Sequence, residues 1–215
     1  MRPMPLRSIS TWVFDLDNTL YPRSARLFDQ IEERMEDFIC DFLSVGLDEA
    51  RRLRSHYWKK YGTTLRGLME EHRMDPEPFM HAAHDIDLAH LDPDPSLAEA
   101  IAGLPGRKIV YTNGSKKHAE RVLAARGLSD PFDALYGVEH ADYIPKPRAD
   151  AFARVFAQDG LDPASAAMFE DEERNLEVPF ELGMATILVG EERRAAYTQF
   201  ETHDLQGFLS QWQKP

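Results

Sequence analysis

Four short segments carry residues whose types and spacing could do chemistry. Asp15-Leu16-Asp17-Asn18-Thr19-Leu20 places two carboxylates two residues apart, directly after the apolar run Trp12, Val13, Phe14. In an extended strand they would point the same way, and like charges that close raise each other's pKa unless a cation or hydrogen bonds intervene. Thr112-Asn113-Gly114-Ser115 offers a hydroxyl, an amide and backbone N–H groups at a helix start, which together make an anion site. Lys146 stands between Pro145 and Pro147, on a rigid loop. Glu170-Asp171-Glu172-Glu173 follows the apolar run Ala166 to Phe169. Taken singly, each has an ordinary explanation. The first acid pair could be a solvated strand end or an N-cap, and the second could complement a helix dipole. The hydroxyl segment could be an N-cap, and the lysine a surface charge.

Taken together, these explanations weaken, because the four segments end four successive expected strands. Asp15, Asp17, Glu170 and Asp171 sum to −4. Oxygen ligands that leave water positions open suit Mg²⁺. The ion and Lys146 bring +3, and one proton on Asp17 brings the sum to zero. Such a pocket could accept a phosphate dianion that bare carboxylates would repel.

The elements that must position these residues follow from periodicity. Ile9 to Leu16 predicts a buried strand ending in carboxylates. Phe28, Ile31, Met35, Phe38, Ile39 and Phe42 recur at helical spacing, with Gly46 as a stop. Asp48 is the expected cap of a second helix through Tyr61, Thr63 or Thr64 caps a third, and Pro76 and Pro78 start another. Asp92-Pro93-Asp94-Pro95 reads as a stiff connector. Beyond it, strands at 109–112, 132–136, 166–169 and 186–189 alternate with helices after Gly114-Ser115, over 149–156 and from Glu172 to Leu182, where Pro179 should kink the chain. The expected fold is a doubly wound α/β parallel sheet, formed by 1–22 and 91–215, with a helical cap inserted after the first strand at 23–90. That cap leaves and re-enters beside the expected site, a natural place for a lid. The stretch 191–215 reads as a surface segment with a final helix near 205–212.

The motifs DLDNTL, TNGS, KP and ED, in this order, resemble those of the haloacid dehalogenase superfamily. The resemblance implies that Asp15 is the nucleophile and that Asp17 is first general acid and then general base. It implies phosphate binding by Thr112, Asn113, Gly114 and Lys146. It assigns the metal to Asp15, Glu170, Asp171 and the backbone carbonyl of Asp17. Dehalogenases of the superfamily lack an acid at the Asp17 place, because halide leaves without a proton, so Asp17 favours a phosphatase. WVFDLDNTLYP, YGTTLRGL, HDIDL with DPDP, LPGRKIVYTNGSKKHAERVL, ADYIPKP and FEDEERNLE with LGM further resemble the pyrimidine 5′-nucleotidase branch. Its expected substrates are small phosphomonoesters, with pyrimidine nucleoside 5′-monophosphates first. A sugar phosphomutase using the same intermediate is a second expectation. A phospho-accepting signalling module is a third, disfavoured because its nucleophile would lie in mid-domain. Glu172 departs from the family, which usually has a small residue there.

The formal net charge of −12 argues against a nucleic-acid polymer or an anionic membrane as partner. One cysteine, Cys40, excludes an internal disulfide and, with no signal-like or spanning apolar run, predicts a cytoplasmic protein. His81, His84, Asp85, Asp87 and His90 are only loosely spaced as metal ligands, and a hinge role for His84 and Asp85 is the better expectation. Tyr57, Trp58 and Tyr61 read as cap core, with one ring available to stack on a base.

Overall fold

The computed structural model describes residues 9–190 and 195–212. Strand β1 (Thr11–Phe14) is buried at every residue. That burial is the physical meaning of its unbroken apolar run, since a central parallel strand is covered on both faces. Its neighbours are β2 (Arg107–Tyr111) and β4 (Ala166–Glu170), both parallel, with Phe14 in register with Val110 and Phe169. β3 (Ala134–Tyr136), β5 (Ala185–Val189) and β6 (Phe200–Thr202) complete a parallel sheet of order β3-β2-β1-β4-β5-β6. Strand order reverses at β1, so its carboxyl end opens into the crevice where such sheets bind ligands.

Alternation along β1 divides the core. Trp12 and Phe14 face one layer with α5 (Pro95–Ala102), α6 (Lys116–Arg126) and α9 (Leu205–Ser210). Val13 faces the other with Ile109, Met168 and α7 (Ala149–Asp159). Phe14 stacks on Phe169 at 4.6 Å, joining the two strands that end in acids.

Between β1 and α5 lie α1 (Leu27–Leu43), α2 (Leu47–Tyr61), α3 (Thr64–His72) and α4 (Pro76–Ala83). They share a separate apolar cluster that includes Ile39, Tyr57, Leu68 and Phe79. Thr63 caps α3, its hydroxyl accepting from the Arg66 N–H at 3.1 Å, and Asp75 caps α4. Gly67 is required where α2 and α3 meet, because a Cβ there would fall 2.3 Å from Tyr57.

Several expectations need correction. Helix α1 ends at Ser44, in left-handed conformation, and Gly46 caps α2 instead of stopping α1; Asp48 lies in the first turn of α2. The connector at 92–95 runs straight into α5, capped by Asp94 with Pro95 at its first position. The helix expected from Glu172 breaks into a 3-10 turn, Glu173–Leu176, followed by the short α8 (Glu177–Glu181). Pro179 therefore sits in a first turn, where N–H groups have no intrahelical acceptor, and no kink is needed. The final segment is not merely superficial. β6 extends the sheet edge, and Leu205 and Leu209 of α9 are buried. The stretches 191–194 and 213–215 lie outside the described residues.

Candidate active site

The structure brings Asp15, Lys146, Glu170 and Asp171 together at the carboxyl ends of β1 and β4. Asp15 follows β1, and its N–H donates to the Phe169 carbonyl at 2.9 Å, so the ladder itself holds the nucleophile candidate in register. A turn at 17–20, with Asn18 at φ 61, then folds the chain back. Lys146 is fully buried, and its Nζ donates to Asp15 Oδ1 at 2.7 Å, Glu170 Oε2 at 2.6 Å and the Tyr111 carbonyl at 3.0 Å. Thr19 donates to the other oxygen of Asp15 at 3.3 Å. Arg23 donates to Asp171 at 2.8 Å.

Electrostatics in this pocket are unbalanced. Burial, reinforced by Glu170, pushes Asp15 up to about 8 despite Lys146. Burial raises Glu170 to about 7 and, with Asp15 beside it, Asp171 to about 7. Burial works against the charge on Lys146, but Asp15 and Glu170 outweigh it and hold the ammonium charged well above its ordinary range. Asp15 is raised even beside a charged Lys146 because burial and Glu170 together outweigh one ammonium shared between two carboxylates. Three acids face two cations, Lys146 and Arg23.

The donor set fits a hard dication. One oxygen each from Asp15, Glu170 and Asp171 can lie within 4.8 Å of the others, and no other group of three such ligands occurs among the described residues. Glu172 is not one of the three: its carboxylate is 3.8 Å from Arg174, its backbone N–H donates to Glu170, and its charge helps to raise Asp171.

A metal should therefore stabilise the protein in a pH-dependent way. The raised carboxyls bind more protons folded than unfolded, so without metal their contribution falls as pH rises from the ordinary carboxylate range near 4 towards 8. Mg²⁺ competes with those protons. Its effect on the melting temperature, read by differential scanning fluorimetry, is expected to be larger at pH 8 than at pH 5. An equal effect at both would contradict binding to these acids.

The remaining residues divide by role. Thr112 is buried, and its hydroxyl accepts from the Gly114 N–H at 2.9 Å. The side chain of Asn113 clamps the backbone of Lys146, donating to its carbonyl at 3.1 Å and accepting from its N–H at 2.8 Å. The amide thus fixes the lysine loop, and the backbone N–H is the part of Asn113 that could meet a phosphate. Asp17 differs most from expectation. Burial would raise it, but the His118 ring at 2.9 Å and the Tyr21 hydroxyl at 2.8 Å outweigh burial and hold it below the ordinary carboxylate range. These two contacts favour the carboxylate form of Asp17, whereas the charge sum assigns it a proton. Sequence reasoning passed over Tyr21, Arg23 and His118. Tyr21 had a signal in its place four residues after Asp17; Arg23 and His118 reach the site only through tertiary folding.

The helical segment α1–α4 touches the rest of the chain beside these groups. A Cβ at Gly62, which has φ +90, would lie 3.4 Å from Pro145 of the lysine loop. The Arg174 guanidinium sits 4.3 Å from the ring centre of half-exposed Trp58. Tyr57 is buried in the cap and Tyr61 partly so.

Residues 9–179 match the family model of the haloacid dehalogenase-like hydrolases. The chain belongs to that family. Among curated proteins, phosphate metabolism protein 8 of Saccharomyces cerevisiae is 28% identical over 202 residues, covering 86% of this chain. The chain spans 62% of that relative's own length. Among solved structures, a phosphatase of the family from Thermococcus onnurineus superimposes with a TM-score of 0.62 at 18% identity, covering 93% of this chain and 96% of its own. L-2-haloacid dehalogenase from Xanthobacter autotrophicus does so with a TM-score of 0.60 at 18% identity, covering 94% and 97%. At such identities these likenesses describe the haloacid dehalogenase-like fold, which both chemistries share. No helix of the described residues is long and apolar enough to cross a membrane.

Proposed function

We propose that the protein is a Mg²⁺-dependent phosphomonoester hydrolase acting through an aspartyl phosphate on Asp15, with pyrimidine nucleoside 5′-monophosphates first among its substrates. The observation that carries this reading is Asp17, a partly buried carboxylate fixed by two hydrogen bonds beside the lysine–acid cluster. Displacing a halide needs no proton donor, whereas expelling an alkoxide does. The name of the yeast relative places that protein in phosphate metabolism, which agrees with this choice.

In the proposed reaction Lys146 and the backbone around Thr112 hold the phosphoryl oxygens, and Asp15 attacks phosphorus. Mg²⁺, held by Asp15, Glu170, Asp171 and the carbonyl of Asp17, would supply electrostatic stabilisation of the phosphoryl oxygens. The leaving alkoxide takes its proton from Asp17. Asp17 takes up that proton from solvent as the phosphate dianion binds alongside, since a neighbouring negative charge raises a carboxyl. Asp17 then accepts a proton from water, which attacks phosphorus and frees Asp15 and inorganic phosphate.

Core groups grip only the phosphoryl moiety, so discrimination between leaving groups falls to the cap. Of the cap residues Thr63, Thr64 and Arg66, the first caps α3 and the second is buried. Arg66, partly exposed and paired with Glu70, is the one whose truncation spares the helix. Arg66→Ala is expected to change the ranking of uridine, cytidine, adenosine and sugar monophosphates by about 1 kcal/mol or more, roughly fivefold in relative kcat/KM. A small aryl phosphate should be little affected. A panel of phosphomonoesters assayed with Mg²⁺ and with excess chelator tests the whole proposal. Turnover undiminished by chelator would exclude the metal, and sugar phosphates far outrunning every nucleotide would exclude the substrate class.

A further inference from the structure

We propose that His118 is a positioning residue that, with Tyr21, fixes the carboxylate of Asp17 so that one chosen oxygen meets the leaving group. This rests on the phosphatase reading and adds to it the device that aims the proton donor.

His118 lies in the first turn of α6, just past Ser115, whose hydroxyl caps the helix by accepting from the His118 N–H at 3.1 Å. Its side chain is wholly buried. One hydrogen bond engages the ring, from Nε2 to Asp17 Oδ1 at 2.9 Å, and Nδ1 has no partner. Burying a polar ring without satisfying both nitrogens costs stability, and an apolar side chain would fill the same space without that cost. The position therefore favours histidine for what Nε2 does.

Two neighbours hold the ring still. The His84 ring, at the end of α4, stacks on it with centroids 4.3 Å apart and planes 17° from parallel. Gly114 closes the edge, since a Cβ there would come within 3.2 Å of His118 Cδ2. His84 is itself anchored, with Nδ1 2.9 Å from the Met80 carbonyl and 3.3 Å from the Ser115 hydroxyl. Arg121, one turn along α6, donates to the carbonyls of His84 and Ile86, at 2.6 and 2.9 Å, and so fastens the returning end of the cap to the same helix.

Tyr21 donates to the same Oδ1 at 2.8 Å. Two donors on one oxygen hold the carboxylate in place and leave Oδ2 as the oxygen available to a leaving group. A general acid displaced by an ångström loses much of its effect, so a freely rotating Asp17 would protonate a leaving alkoxide poorly. An aryl oxide, which is far less basic, leaves without that help.

The test compares wild type, His118→Leu, His118→Gln and Tyr21→Phe on p-nitrophenyl phosphate and on an alkyl ester, uridine 5′-monophosphate, with Mg²⁺. Gln can place an amide N–H near the position of Nε2. His118→Leu is expected to lower kcat on the alkyl ester at least about tenfold, within the range general acids contribute. It should lower kcat on the aryl ester no more than about threefold, and His118→Gln should recover most of the loss. Tyr21→Phe, which deletes only a hydroxyl, should give the same selective loss, and it carries the test if the histidine variants fold poorly. Equal losses on both esters in the soluble variants would overturn the inference, as would a glutamine variant no better than leucine. A wild type inactive on both esters would instead overturn the phosphatase reading, and the inference with it.

Discussion

Asp15→Asn is expected to reduce turnover of any phosphomonoester at least about a thousandfold, roughly 4 kcal/mol of barrier. The amide is a poor nucleophile and cannot form the acyl phosphate. The change also removes one of the three carboxylates that could hold a metal. The loss should not reflect unfolding. The carboxyl of Asp15 is pushed up to about 8 by burial and by Glu170, so at pH 8 the metal-free protein bears a cost to ionise it. A neutral amide removes that cost, while Lys146 keeps Glu170 as partner at 2.6 Å. Without metal at pH 8 the variant should melt at least as high as wild type, and Mg²⁺ should raise its melting temperature less. Activity within about tenfold of wild type, a 1.4 kcal/mol change, would refute the nucleophile assignment.

Lys146→Ala should have a comparably large but different signature. The ammonium is buried, and it bridges Asp15 and Glu170. Truncating one member of a buried ion pair typically costs about 3–5 kcal/mol because the partner charges stay buried. Here Asp15 and Glu170 can partly escape by taking up protons, their carboxyls being raised already, so the destabilisation should be smaller at pH 5 than at pH 8. On activity, the loss of a cation aimed at the phosphoryl group should be about a hundredfold or more. It should fall equally on every substrate, since all share that group, and a ratio of kcat/KM values between nucleotide and sugar esters should stay fixed. A changed ranking would mean that Lys146 touches the leaving group.

Much of the fold was legible because sequence and geometry share a period. The unbroken apolar run at 11–14 and the alternation of short strands with helices imply a covered parallel sheet, and the sheet is all parallel. Misreadings arose where local signals compete. Pro179 reads as a kink only if the helix starts at Glu172. The chain instead makes a 3-10 turn first, and the proline falls where its missing N–H is harmless. Asp94-Pro95 is both a stiff dipeptide and a cap followed by a first helical position, and the burial of Leu97, Ala100 and Ile101 decides for the helix. β6 is three residues long, too short for periodicity to reveal.

At the site, Asp15, Glu170 and Asp171 converge because the ends of the paired strands β1 and β4 converge, a pattern that can be read along the chain. Lys146 reaches them from the loop well past β3, not from a strand end. His118 cannot be read this way: it lies 101 residues from Asp17, and nothing in its local sequence announces that the turn after β1 brings them to 2.9 Å. The clamp of Asn113 on Lys146 escapes sequence reasoning for the same reason, since an amide beside a helix cap reads locally as part of that cap.

The central claim is that Asp15 itself carries the phosphoryl group during turnover. The most direct measurement is acid quenching of wild type in the steady state with Mg²⁺ and a phosphomonoester, followed by peptide mass mapping. The account predicts a phosphoryl adduct on the peptide containing Asp15, labile to hydroxylamine and absent from Asp15→Asn. Rapid turnover with Asp15 unmodified, or an adduct on any other residue, would contradict it.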